Sequence, residues 1–227
     1  MKKMIALMLL MSLLSVSCND SGGSSSDDSS LVTDTSPVTP DEDTPSGDPV
    51  TEAPAPDSSL PDLALSWDTN VELYDFTATQ EEKYNKAVAL VKKVVATEKF
   101  RNMILNHTYN GVKQFASTTK TNAQVYQSVL DAAEKLTPAK NNVMDVGVKL
   151  YYENNSVVGW TNGSITYFNV NTKFFNQYDI HQVAGNLFHE WLHKLNYGHD
   201  SSATTRRPYS VPYAVGYMIR DIGKSFL

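Results

Sequence analysis

Between Asn19 and Asp62 the chain carries eleven acidic side chains, no basic one and no aromatic one. Ser, Thr, Pro and Gly supply most of the rest, so these 44 residues cannot bury enough apolar surface to offset the entropy of folding. Whatever folds is expected to do so from residues 63–227, a length suited to one domain with a sizeable core. As a flexible coil the acidic stretch would span roughly 35–40 Å root-mean-square, which suits a tether.

The same division reassigns the charge. The whole chain has a formal net charge of −6, yet residues 63–227 hold 14 of the 25 acidic residues and 17 of the 19 basic ones, a formal +3. Those basic residues are scattered rather than clustered, so no nucleic-acid footprint is present.

Residues 1–17 open with Lys2 and Lys3, run through MIALMLLMSLL and reach small residues at Ser15 and Ser17. That is the pattern of a signal peptide, and its apolar run falls short of the roughly 20 residues a spanning helix needs. Cys18, the only cysteine, follows at once. The stretch LSVSC resembles a bacterial lipoprotein processing site, with Ser15 where such sites usually carry leucine and Leu14 one position earlier. The resemblance implies acylation of Cys18 and an exported domain, lipid-anchored to the bacterial cell envelope. A lone cysteine also forbids an internal disulfide, so the domain must be held by its core alone.

Within the folded part, Thr79 and Glu82 have capping-box spacing ahead of a helix with Tyr84, Val88, Val91 and Val95 on one face. TEKFRNMILNHTY predicts a second helix. NAQVYQSVLDAAEKL predicts a third, with Val125, Val129, Ala132, Ala133 and Leu136 on its stripe. The pattern then turns to short β-branched and aromatic runs, VGVKLYYE, SVVGWT and SITYFNV, with a hairpin-type TNG between the last two. A small, mainly antiparallel sheet is expected. Asp179 then caps a helix over IHQVAGNLFHEWLHKL whose apolar face is Val183, Leu187, Trp191 and Leu195.

That helix carries the chemistry. Residues four apart on a helix lie on one face, so His189 and His193 can aim two imidazoles at one metal ion. Glu190, rotated by about 100°, is a poor ligand there but a good general base toward a water beside the metal. A catalytic zinc needs a third protein donor and an open position. No glutamate follows Glu190, which leaves His199, Asp200 and Asp221 as candidates. His199 is favoured because Asn196 and Gly198, residue types that accept left-handed backbone, allow a sharp turn between it and the helix.

HEWLHKLNYGH resembles the zinc-binding pattern of the metzincin peptidases, H-E-x-x-H-x-x-G-x-x-H, with Asn196 in place of the family's glycine. The resemblance implies Zn²⁺ held by His189, His193 and His199, Glu190 as the catalytic base, and hydrolysis of a protein or peptide substrate by a monomeric, zincin-like α+β domain. It also implies a substrate lying along an edge strand, for which SITYFNV is the candidate. The family's methionine turn has no clear counterpart. Ser210 and Pro212 predict instead a C-terminal helix with Val215, Met218, Ile219 and Ile222 buried, and with Tyr213 in its first turn as a possible donor to an oxyanion. His107 and His181 are read as histidines outside the site, and Arg206 with Arg207 as a solvated loop or a carboxylate clamp. Two alternatives stay open: an aspzincin-like peptidase with Asp200 or Asp221 as third ligand, and a surface lipoprotein that binds a partner or glycan and keeps the metal only as a structural pin.

Overall fold

The computed structural model describes residue 60 and residues 62–227. The expected signal peptide, Cys18 and residues 19–59 of the expected tether lie outside the described residues. Leu60 is only 5% exposed and belongs to the core, so the folded part reaches back past the composition boundary at residue 63.

The elements are α1 (Asp62–Leu65), β1 (Asp68–Tyr74), α2 (Ala78–Val95), α3 (Glu98–Asn106), α4 (Asn122–Asp131), β2 (Val143–Tyr151), β3 (Gly159–Trp160), β4 (Tyr167–Asn171), α5 (Thr172–Phe175), α6 (Ile180–Lys194) and α7 (Val211–Lys224). The chain is thus mixed α and β with one four-stranded sheet, in the order β1-β2-β4-β3. No helix among the described residues is long and apolar enough to cross a membrane.

The sheet corrects the expectation of mainly antiparallel pairing. β1 pairs β2 in parallel, β2 pairs β4 in parallel, and only β3 with β4 is antiparallel. The reason is topological: α2, α3 and α4 form the crossover that returns the chain parallel to β1, a strand the sequence reading did not expect. The edge assignment changes as well. β4, from SITYFNV, is an inner strand, and the two-residue β3 forms the edge beside it.

Alternation along the strands sorts the two faces. Met144, Val146, Val148, Leu150, Phe168 and Val170 are buried and join one core with α2, α3, α4, α6 and α7. Asn70, Glu72, Tyr74 and Lys149 line the other, open face.

Helix ends were the less legible part. α2 is capped by Thr77 with Gln80, not by Thr79 with Glu82. α4 stops at Asp131 because Ala132 adopts φ 46°, in the left-handed region, so Leu136 lies outside the helix and is 44% exposed. The C-terminal helix is as expected: Ser210 is the N-cap, Pro212 lies in the first turn, and Val215, Met218, Ile219 and Ile222 are buried.

Candidate metal centre

α6 has Asp179 as its N-cap, and the Asp179 N–H donates to Gln182 Oε1 at 2.8 Å. Val183, Ala184, Leu187, Phe188, Trp191 and Leu192 bury its apolar faces. It ends in a left-handed turn. Asn196 adopts φ 66°, the Asn196 N–H donates to the His193 carbonyl, and the Tyr197 N–H donates to the Leu192 carbonyl at 3.1 Å. These two bonds form the glycine-type helix stop, built here on asparagine. Gly198 does not take positive φ, so Asn196 alone makes the reversal.

The reversal brings His199 back to the helix. His189, His193 and His199 each offer a ring nitrogen, and the three nitrogens lie within 4.8 Å of one another. Their rings are 5.1, 5.2 and 4.9 Å apart, centre to centre. His193 Nδ1 pairs with the Tyr197 carbonyl at 2.8 Å, and His199 Nδ1 with the Asp200 carbonyl at 2.9 Å. A carbonyl can only accept, so His193 and His199 carry their protons on Nδ1 and turn the Nε2 lone pairs inward. Burial lowers all three pKa values, that of His193 to about 4, which keeps the rings neutral. A nitrogen-only set of three neutral imidazoles fits zinc.

The aspartate alternatives lie elsewhere. Asp200 accepts from Thr204 and pairs with Arg206 at 2.8 Å, and Asp221 pairs with Arg220 at 2.8 Å. The His189–His193–His199 group is the one cluster among the described residues with the proximity a metal needs. His107 stacks on Phe115 at 4.2 Å, and His181 packs near Gly223, so neither joins it. Arg206 is engaged by Asp200, whereas the Arg207 guanidinium lies 4.8 Å over the Tyr213 ring.

Glu190 is 4% exposed, and loss of solvent pushes its pKa up to about 8 against the opposing charge of Lys194. It lies under the edge strand: a Cβ on Gly159 would stand 2.9 Å from Glu190 Oε1. The absence of a side chain at Gly159 is what leaves room for the carboxylate. On the other side α7 crosses α6 closely, because a Cβ on Gly216 would meet the Gly185 carbonyl at 3.1 Å and His189 Cβ at 3.2 Å. This crossing sets the Tyr213 ring 4.6 Å from His189 and 4.8 Å from His199. Met218 is buried one turn further along.

Three contributors were missed in the sequence: Gly159, Glu134 and Lys194. Lys194 carried a legible signal, standing four residues after Glu190 on the same helix face. Glu134 and Gly159 come from distant segments and carried none. No protein-family model, curated protein or solved structure matches the chain.

Proposed function

We propose that the domain is a zinc-dependent endopeptidase of metzincin-like character. The observation that carries the reading is the convergence of three neutral imidazole nitrogens within 4.8 Å beside a buried carboxylate of raised pKa. His189, His193 and His199 would hold the ion. Bound there, zinc supplies Lewis-acid activation of water and of a substrate carbonyl.

The chain's own residues do the rest. Glu190 would take a proton from the attacking water and return it to the leaving amine; the positive charge of a bound ion nearby would favour the ionised carboxylate that this step needs. β3 presents the free edge of the sheet directly over that carboxylate, so an extended peptide added to this edge would pass its backbone across Glu190. Tyr213, whose ring packs against both His189 and His199, would donate to a developing oxyanion. A purely structural zinc site has no use for a buried base, which disfavours the binding-lipoprotein alternative.

The test is Glu190→Gln in zinc-loaded protein assayed on casein with and without a chelator. Zinc content and stability should hold while hydrolysis falls by roughly 10² or more. His199→Ala should lose zinc, and Asp200→Ala and Asp221→Ala should keep it. If wild-type protein cleaves nothing in a broad peptide library, the peptidase reading fails. We also propose that the domain works at the bacterial envelope, anchored through Cys18. Labelling with a fatty-acid analogue that persists in Cys18→Ser would count against the anchor.

A further inference from the structure

We propose that Lys194 is a positioning residue that fixes the β3 edge strand over Glu190, and so sets how an extended substrate binds; the substrate half of this rests on the peptidase reading above. Lys194 closes α6, one residue after His193, and is 6% exposed. Its ammonium is partly buried against the sheet. Its three N–H groups face four acceptors, Thr161 Oγ1 and the carbonyls of Ile165 at 2.7 Å, Tyr167 at 2.8 Å and, sharing a hydrogen at 3.3 Å, Asn162. Three of these acceptors lie in the segment that joins β3 to β4, and the fourth, the Tyr167 carbonyl, opens β4.

β3 needs such a hold. It is two residues long and meets β4 only at Gly159↔Val170 and Trp160↔Asn169. Its upstream end is fixed by Asn171, whose Nδ2 donates to the Glu153 and Val157 carbonyls at 2.8 and 3.1 Å. Its downstream end is fixed by Lys194. Burying an ammonium is costly, and an apolar side chain of the same length would fill the space without that cost. What the ammonium adds is a set of directed bonds that define one loop conformation. Because Lys194 and Glu190 sit one turn apart on a rigid helix, the loop is thereby referenced to the general base.

The experiment uses the full zinc-loaded chain and compares Lys194→Met, Lys194→Arg and Thr161→Val. Hydrogen exchange over residues 159–167 should speed up in Lys194→Met, with zinc content and exchange in α6 unchanged. On a long peptide KM should rise about tenfold with kcat within about threefold, what one or two lost backbone hydrogen bonds to substrate are worth. On a dipeptide amide, too short to follow the edge, both should stay near wild type. Lys194→Arg should recover much of the KM, since it keeps the charge and donors. Unchanged exchange in 159–167 overturns the proposal. A fall in kcat with KM intact also overturns it, because it would mean that Lys194 acts on the Glu190 charge instead. If Lys194→Met does not fold, Thr161→Val decides: it removes one Lys194 acceptor together with the Thr161 hydroxyl's own bond to the Tyr167 carbonyl at 3.0 Å, so exchange must rise at residues 162–165, beyond the two residues that share that bond. If the loop loosens but wild-type protein cleaves neither peptide, the peptidase reading fails and the role in substrate binding falls with it, while the loop contact itself stands.

Discussion

The indole N–H of Trp191 donates to Glu134 Oε1 at 2.7 Å, tying the histidine-bearing helix to the segment that leads into β2. The same carboxylate accepts from the Asp145 N–H at 3.1 Å and from Thr137 Oγ1 at 3.2 Å. Burial raises the Glu134 pKa and these bonds oppose the rise. Glu134→Ala would leave a buried indole and a backbone amide without acceptors, at a cost of about 2–4 kcal/mol. Urea denaturation measures it. A loss near zero would mean that water replaces the carboxylate.

Asn196 gives a cleaner test of the helix stop. It is exposed and holds φ 66°, so its substitution probes backbone conformation rather than packing. Asn196→Ala should cost about 1 kcal/mol, and Asn196→Gly should fall within about 1 kcal/mol of wild type. The zinc affinity of each should follow its stability, because the turn at Asn196 delivers His199.

Gly159→Val should separate metal binding from catalysis. The new side chain would press on Glu190 Oε1 and on the Asn169 carbonyl, 2.9 and 3.0 Å from the first added carbon. Zinc content should be retained, since no histidine is touched. Activity on casein should fall by at least about tenfold, as expected when a general base is displaced from its working position. Full activity would show that the carboxylate is not needed where it stands.

The three histidines should make the metal-free protein lose stability in mild acid. His193 titrates near 4 when folded against 6.5 for a free histidine, and His189 and His199 are lowered as well. Between those values the unfolded chain binds more protons than the folded one. The stabilisation is therefore complete above pH 6.5 and is lost as pH falls toward 4. His193 alone accounts for about 3 kcal/mol at most across that window. Glu190, whose pKa is raised to about 8, titrates with the opposite sign, so the comparison is made in Glu190→Gln: chelator-treated, this variant should unfold at lower urea at pH 5 than at pH 7, and equal midpoints would count against buried neutral imidazoles.

The convergence of the three histidines was legible in sequence because helix periodicity and one left-handed residue are local rules: His189, His193, Asn196 and His199 needed no knowledge of the rest. The C-terminal helix was legible for the same reason, from Ser210, Pro212 and its apolar spacing. The sheet was not. β1 alternates polar and apolar residues and lies far from its partner in sequence, as the Asn70–Asp145 bond across 75 positions shows. Nothing local distinguishes a parallel pairing of that range from a short hairpin. The same holds for Glu134, whose partner Trp191 is 57 residues away.

All three nitrogen donors fall within eleven consecutive residues, whereas the sheet closes only when Asp68 meets Val143. Loop closure over so long a segment is slow, while one helical turn and its stop form quickly. If the three histidines hold zinc as proposed, an ion present during refolding would meet their ligand set before the sheet is complete. Some of its binding free energy would then go to the incompletely folded chain, and the gain in stability on adding zinc would understate the affinity of the folded site.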